Sequence, residues 1–297
     1  MSLFGTTLPT AEDLMRRRLV AVRPGEGVLA AVDRMLRFNV SGAPVIDDDG
    51  RYVGVFSEKT SLSALSECVT AVDPAVRVEN FMTRSLHTVG PQDEVFDAIE
   101  SLLGRQISGA PVLDADGNYL GVFSEKTAMR AMIASLADSF PGGTVRSFMN
   151  LDRNRLIQRH AGLTDVVEKI LETPYRRFPI VEDGRLVGQV SRRDVLRAAH
   201  RVAAEGGCRG AFDMTVSQWV DTDALTVTPE TDLFMIATIF LQSPYRRLPV
   251  LQDGGVVGMV SRRDLLAVGC GMGRPAATDR SFEPLYLSGF DDRTFTA

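Results

Sequence analysis

The sequence is poor in the residues that build metal centres and disulfide frameworks. Among 297 residues there are three cysteines and three histidines, and they stand far apart in the chain. An odd, scattered set of cysteines predicts no disulfide framework, and no zinc-ligand spacing is visible. We therefore expect a reducing, cytoplasmic compartment and no bound metal.

Long apolar runs and an excess of positive charge are also missing. The longest apolar run, at 233–241, has nine residues, far fewer than the ~20 that a membrane span needs. The N-terminal segment lacks the basic-then-apolar order of a secretory signal. The net charge of −5 argues against a nucleic-acid partner, because such proteins usually carry an excess of basic residues. These absences predict a soluble globular protein with neither a membrane nor a nucleic acid as partner.

Catalytic motifs are absent as well. The sequence has no P-loop, no nucleophile elbow and no cluster of metal ligands. A glycine-rich stretch at 269–273 follows a predicted helix rather than a strand, which favours a helix end and a loop over a phosphate-binding turn. We do not expect an enzyme.

What fills the chain instead is a repeat. The segment SPYRRLPVLQDGGVVGMVSRRDLL at 243–266 has a close copy at 173–196. Two quieter copies follow the same order at 40–60 and 107–127. Aligning the copies on one proline gives intervals of 67, 68 and 70 residues between Pro44, Pro111, Pro179 and Pro249. Internal repeats at a regular interval predict one supersecondary unit that recurs along the chain.

Each copy has the same predicted internal order. An amphipathic stretch, as at 94–103, predicts a helix with Val95, Ala98 and Ile99 on one face. A short apolar strand begins at the proline, an Asp-Gly pair predicts a hairpin turn, and a second strand leads into another helix. With a strand before the first helix, the unit is β-α-β-β-α.

This unit resembles the CBS domain. The resemblance is carried by the strand before Asp-Gly, by the Ser-x-x-Asp that ends the second strand, and by a glycine within that strand: Gly54, Gly121, Gly188 and Gly258. It implies an α/β (α+β) fold with four CBS repeats, followed by a polar tail. We place the repeats at 8–68, 75–136, 141–203 and 214–270, and the tail at 271–297.

The resemblance also implies how the repeats assemble. CBS repeats pair into two-repeat units called Bateman modules, which here would be 8–136 and 141–270. Two such modules commonly pack into a flat disc. In this respect the chain is similar to the γ subunit of AMP-activated protein kinase.

Ser-x-x-Asp is the first candidate binding motif. In CBS domains the aspartate holds the ribose hydroxyls of a nucleotide, which implies that role for Asp194 and Asp264, helped by Ser191 and Ser261. The alternative is a helix cap, since serine is a favoured N-cap and an acid suits the positive helix end. Cations at a helix start are unfavourable unless an anion binds there, and each motif contains two: Arg192, Arg193, Arg262 and Arg263.

A second arginine pair precedes the proline, at Arg176-Arg177 and Arg246-Arg247. In the kinase γ subunits a basic pair at this place reaches the nucleotide phosphates, although its first member there is often histidine. The alternative is loop arginines that pair with nearby acids. Thr226 and Thr228, on the predicted first strand of the last repeat, are weaker candidates for contacts to the base.

The two N-terminal copies break this pattern. Threonine replaces the aspartate at Thr60 and Thr127, and Ser-Gly replaces the arginine pair at 41–42 and 108–109. Without the ribose clamp and the phosphate charges, this module is not expected to bind AMP or ATP tightly.

The expected function is therefore a regulatory protein without catalytic activity. Its C-terminal CBS pair would bind an adenine nucleotide, AMP, ADP or ATP, and transmit the ligand state to a protein partner. S-adenosylmethionine as the ligand and a homodimer of whole chains are left open. The alternative is a CBS scaffold that binds no ligand.

Overall fold

The computed structural model describes residues 8–17, 20–67, 76–84, 87–135, 142–150, 155–204 and 215–271. Apart from Gly271, the polar tail predicted at 271–297 lies outside the described residues. Within the part that is described, no helix is both long enough and apolar enough to cross a membrane.

The N-terminal half contains two copies of a hairpin followed by a helix. Its elements are α1 (Ala11–Leu14), α2 (Val28–Arg37), β1 (Gly42–Ile46), β2 (Tyr52–Ser57), α3 (Glu58–Glu67), α4 (Val78–Phe81), α5 (Val95–Gly104), β3 (Gly109–Leu113), β4 (Tyr119–Ser124) and α6 (Glu125–Ser135).

The C-terminal half repeats this order, with the 3-10 helices Val145–Ser147 and Val216–Trp219 in the places of the short helices α1 and α4. Its other elements are β5 (Ile157–Gln158), α7 (Leu163–Glu172), β6 (Arg177–Glu182), β7 (Arg185–Ser191), α8 (Arg192–Ala204), α9 (Leu233–Gln242), β8 (Arg247–Gln252), β9 (Gly255–Ser261) and α10 (Arg262–Gly269).

The strand predicted before the first helix of each repeat is very short. In the third repeat it is β5, two residues long and parallel to β6. In the other three it is a single parallel bridge, as between Val22 and Val45. The repeat is therefore a β-hairpin with helices on either side, and the extra strand adds one contact at the hairpin's edge.

The hairpin turns explain the Asp-Gly pairs. In the third and fourth repeats both turn residues have positive φ, at Asp183 (49°), Gly184 (77°), Asp253 (53°) and Gly254 (81°). That is the requirement of a two-residue type I′ turn, which matches the twist of the strands. In the first two repeats the glycine alone is left-handed in the turn, and the longer loop is held by backbone N–H groups that donate to Asp47 or Asp114.

Sister repeats exchange backbone contacts and so form two modules, as the sequence predicts. The segment before each repeat crosses to the second strand of its sister and pairs there with one residue. The four pairs are Arg16 with Val122, Thr83 with Val55, Asn150 with Met259, and Asp221 with Gln189. In the C-terminal module the hairpins also join, giving one sheet in the order β5-β6-β7-β9-β8.

The strand glycine that carries the resemblance makes room for this crossing segment. A Cβ on Gly54 would stand 2.6 Å from the carbonyl oxygen of Thr83, closer than real Cβ contacts come. A Cβ on Gly188 would overlap the Val220 side chain, and its φ of +155° also favours glycine. The glycine is therefore a requirement of module formation.

The hydrophobic cores join the two modules. One cluster combines the first and third repeats, and the other combines the second and fourth. Helix α3 packs against α8, and α6 packs against α10. Fully buried phenylalanines, Phe56 with Phe178 and Phe123 with Phe240, lie in these shared clusters. The predicted contact between the modules is therefore present within one chain, while the flat disc stays a prediction.

Candidate functional site

One repeat position brings four residues together where the modules meet. Arg246 donates to Ser108 Oγ (3.0 Å) and to Ser41 Oγ (3.1 Å). Arg176 donates to the same Ser108 Oγ over 3.2 Å. Each of these four residues stands three positions before the aligned proline of its repeat. Equivalent positions of the four repeats therefore lie close together in the structure.

Further cations surround this point. Arg192 and Arg262, the first residues of α8 and α10, are buried and donate to the carbonyl oxygens of Thr173 and Ser243. Lys126 Nζ donates to the same Ser243 oxygen over 3.2 Å. The charges of these groups act on one another. We call the set the central cluster: Lys126, Arg176, Arg192, Arg246 and Arg262.

Two buried acids lie near the cluster, and both are committed to other arginines. Glu58 and Glu125 are each 6% exposed. Glu58 accepts from Arg193 Nε over 2.9 Å, and Glu125 accepts from Arg263 Nη2 over 3.1 Å. Arg193 and Arg263, predicted as nucleotide contacts, thus form ion pairs between the modules. The two carboxylates compensate these arginines first and the central cluster only in part.

The arginine pKa values reflect this excess of buried positive charge over negative charge. Burial lowers the pKa of Arg176 to about 9, helped by the charges of Arg246 and Arg192 and opposed by Glu58 and Glu125. Burial and Arg246 lower the pKa of Arg262 to about 10. Both guanidinium groups remain charged at neutral pH, as arginines in proteins do. The lowered values mean that the fold stabilises these charges less than water does, which an anion would correct.

The Ser-x-x-Asp motifs form helix caps. Ser191 donates from its N–H (2.9 Å) and from its hydroxyl (2.5 Å) to Oδ2 of Asp194. Ser261 makes the same two bonds to Asp264, over 2.8 and 2.6 Å. In the N-terminal repeats Thr60 and Thr127 provide uncharged hydroxyl partners instead. The contacts of the capping alternative are therefore present, and the ribose-binding role of the two aspartates stays a prediction.

The second arginine of each pair is the first residue of a strand. Arg177 begins β6, where its guanidinium lies 3.9 Å from the Asp221 carboxylate and 4.7 Å from the centre of the Tyr245 ring. Arg247 occupies the equivalent place at the start of β8. Arg177 thus has the acidic neighbour that the loop-pairing alternative predicts, supplied by the sister repeat.

The remaining candidates lie elsewhere. Thr226 is half-buried beside the bridge at Val227, and Thr228 is exposed, with its N–H bonded to Thr231. Asp194 also lines a pocket of about 100 Å³ together with Arg197, Ala198, Arg201 and Trp219. In the described ranges no group of three or more His, Cys, Asp and Glu side chains could hold a metal ion.

Four segments of the chain, at 11–66, 78–134, 155–201 and 216–270, match the CBS domain family. The chain therefore belongs to the CBS domain family, with four CBS domains arranged in tandem.

Two archaeal proteins share the fold over most of the chain. MJ1225 of Methanocaldococcus jannaschii is 22% identical over 269 residues, covering 87% of this chain and 89% of that protein. Its crystal structure, described as that of a proposed archaeal homologue of γ-AMPK, overlays with a TM-score of 0.78 at 19% identity, covering 87% and 99% of the two chains. An uncharacterised conserved protein from Pyrococcus horikoshii overlays with a TM-score of 0.57 at 18% identity, covering 88% and 99%.

A plant protein resembles part of the chain. CBSX2 of Arabidopsis thaliana, a chloroplastic CBS domain-containing protein, is 29% identical over 164 residues. The match covers 46% of this chain and 69% of CBSX2.

Sequence reasoning missed the part that the N-terminal module plays at the centre. In the sequence, Ser41 and Ser108 stand out only as replacements for arginines, and Glu58, Glu125 and Lys126 have no predicted role. The signal was available in the alignment, because all five residues stand at positions where the C-terminal repeats carry arginine. Equivalent positions in pseudosymmetric repeats tend to meet near the symmetry axis, so both halves had to be read together.

Proposed function

We propose that this chain is a regulatory protein that binds an adenine nucleotide, with the phosphates in the central cluster and the ribose at a Ser-x-x-Asp motif of the C-terminal module. The observation that carries the proposal is the cluster itself. Five cations face one another between the modules, and the acids beside them, Glu58 and Glu125, already pair with Arg193 and Arg263. Phosphate oxygens accept charge-assisted hydrogen bonds from such groups.

The charge of the cluster also ranks the ligands. Phosphorylated nucleosides bring the negative charge that the five cations lack. S-adenosylmethionine carries a sulfonium cation in place of phosphates, so the cluster disfavours it. Relatives support a nucleotide as the ligand class, since CBSX2 has been crystallised in complex with AMP.

A ligand at this place would contact both modules. Arg176 and Arg246 currently donate to Ser41 and Ser108 of the N-terminal module. A phosphate is a stronger acceptor than a neutral hydroxyl, so its arrival would draw the arginines away from the serines. The junction between the modules would then differ between the free and bound states, which is the kind of change that a protein partner can recognise.

The scaffold alternative has an observation in its favour. Both aspartates are engaged in capping boxes, and Arg193 and Arg263 are paired, without any ligand. A scaffold would need no more than these contacts. The central cluster is what a scaffold leaves unexplained, because four arginines of the C-terminal module and Lys126 of the N-terminal module repel one another there.

Calorimetric titration of the full chain tests the proposal. We expect binding of AMP, ADP and ATP, weaker binding of adenosine, and weaker binding still of S-adenosylmethionine. A chain that binds none of the phosphorylated nucleosides at millimolar concentration would support the scaffold instead.

A further inference from the structure

The proposed function puts a nucleotide beside each Ser-x-x-Asp strand of the C-terminal module, and we call these two places the clefts. Each has one buried carboxamide nearby that the binding motifs do not use. In the β6–β7 hairpin, Arg177 pairs with Ser191 and Pro179 pairs with Gln189. Directly opposed and alternate strand residues share a face, so Gln189 lies on the face that carries Ser191. It stands two residues, about 7 Å, from Ser191 along the strand.

Gln189 is buried without a partner. Its side chain is 0% exposed, and neither Oε1 nor Nε2 has a hydrogen-bond partner in the described part of the chain. Leaving a buried amide unsatisfied is costly, so such groups normally find a partner. The fold therefore holds a donor and an acceptor ready on this face.

In the second cleft the buried carboxamide is on the crossing segment and not on the hairpin strand. Met259 occupies the place of Gln189 on β9, and the crossing segment that pairs with it carries Asn150 where the first cleft has Asp221. Asn150 is 4% exposed, and its Oδ1 and Nδ2 also have no partner among the described residues. Each cleft thus holds one orphaned carboxamide, supplied by the strand in one case and by the crossing segment in the other.

The N-terminal module has no carboxamide at the matching places. There the pairs are Val55 with Thr83 and Val122 with Arg16. The carboxamides therefore occur in the module that also carries the Ser-x-x-Asp motifs, beside the residues expected to hold the ribose.

We propose that Gln189 and Asn150 read the base of the bound nucleotide, one carboxamide in each cleft. This inference rests on the proposed function and specifies the ligand further. A carboxamide offers an N–H donor beside an oxygen acceptor. Adenine presents the complementary pair, its 6-amino donor beside a ring-nitrogen acceptor, and asparagine or glutamine forms a bidentate contact with that edge. Gln189 and Asn150 are thereby specificity-determining residues for a 6-aminopurine.

The test compares AMP with purine riboside 5′-monophosphate, which lacks the 6-amino group, in calorimetric titrations of the full chain. Wild type should prefer AMP by roughly tenfold to a hundredfold, since a bidentate base contact gives discrimination of about that size. Gln189→Met, which copies β9, combined with Asn150→Leu should abolish this preference. Thr83→Val is the matched control: it removes a buried, unpartnered hydroxyl from the equivalent place in the other module and should keep the preference.

Stability gives a second readout. Without ligand, Gln189→Met should melt at the same or a higher temperature than wild type, because the orphaned amide is gone. Equal affinity of wild type for the two nucleotides, or a preference retained in the double variant, would overturn the base-reading role while leaving the proposed function intact. A wild-type chain that binds neither nucleotide would overturn both.

Discussion

A single repeat position holds serine in one half of the chain and arginine in the other. Ser41, Ser108, Arg176 and Arg246 meet at one point, and the serines accept hydrogen bonds from the arginines. Four arginines there would repel one another, and four serines would carry no charge. The division between the halves gives a positive centre that the fold can tolerate without a ligand.

The sequence indicates a binding role for these arginines, because a pair of cations beside a buried proline is unusual in a core. It did not predict their partners, since hydrogen bonds between residues 68 to 205 positions apart depend on how the modules dock. The sequence also did not predict that the side-chain amides of Gln189 and Asn150 are buried without partners, and the reason is related. A polar residue in a strand looks exposed until the crossing segment covers it.

The first prediction concerns the aspartates. Asp264→Ala should lower nucleotide affinity at its site roughly tenfold to over a hundredfold, because hydrogen bonds to a charged group contribute about 1.5–3 kcal/mol each. If Asp264 is only the cap that it forms with Ser261, the substitution should cost about 0.3–1 kcal/mol of stability and leave affinity unchanged.

Calorimetry and thermal unfolding of the same variant separate these roles. Asp264→Thr, which copies the N-terminal repeats, serves as a control that keeps a hydroxyl partner for Ser261. An Asp264→Ala chain that binds AMP as tightly as wild type would contradict the ribose-binding role.

At the scale of elements, the four helices that follow the hairpins join the modules. Each pair, α3 with α8 and α6 with α10, carries a buried ion pair beside its apolar contacts. The amphipathic patterns predicted the helices, and the even repeat spacing predicted the modules. They could not show that the first repeat shares its core with the third, because every repeat presents a similar apolar face.

The second prediction tests these ion pairs. Arg263→Ala should destabilise the chain by about 3–5 kcal/mol, because it leaves the Glu125 carboxylate buried without its partner. Replacing both residues, with Arg263→Leu and Glu125→Leu, should restore most of that loss. Denaturant unfolding measures both.

Arg37→Ala is the control for this series. Arg37 pairs with Asp33 on the surface, where both side chains are more than half exposed, and such pairs contribute about 0–1 kcal/mol. An Arg263→Ala chain as stable as Arg37→Ala would mean that the ion pair between the modules contributes little.

At the scale of the whole molecule, the net charge of −5 hides a positive centre. The overall acidity argues against a nucleic-acid coat, but it says nothing about where the cations lie. Their position follows from the pseudosymmetry of four repeats, which brings like positions together. The charge of the centre is therefore a property of the assembled modules and of no single repeat.

The third prediction follows from that repulsion. Pyrophosphate should raise the melting temperature of the full chain, since a ligand at about 100 times its Kd stabilises the native state by roughly 2.7 kcal/mol. Sodium chloride at matched ionic strength should raise it much less, because screening is weak where charges are buried. Equal shifts in the two salts would mean that the centre has no specific anion site.

The central claim is that the cluster between the modules holds the phosphates of a nucleotide. Its most direct test is the affinity of the full chain for AMP and for adenosine, in wild type and in a variant with Arg176→Ser and Arg246→Ser, which copies the N-terminal repeats. Arg37→Ser serves as the control. We predict that the double variant loses at least tenfold in AMP affinity and binds adenosine as wild type does. Undiminished AMP binding in the double variant would contradict the account.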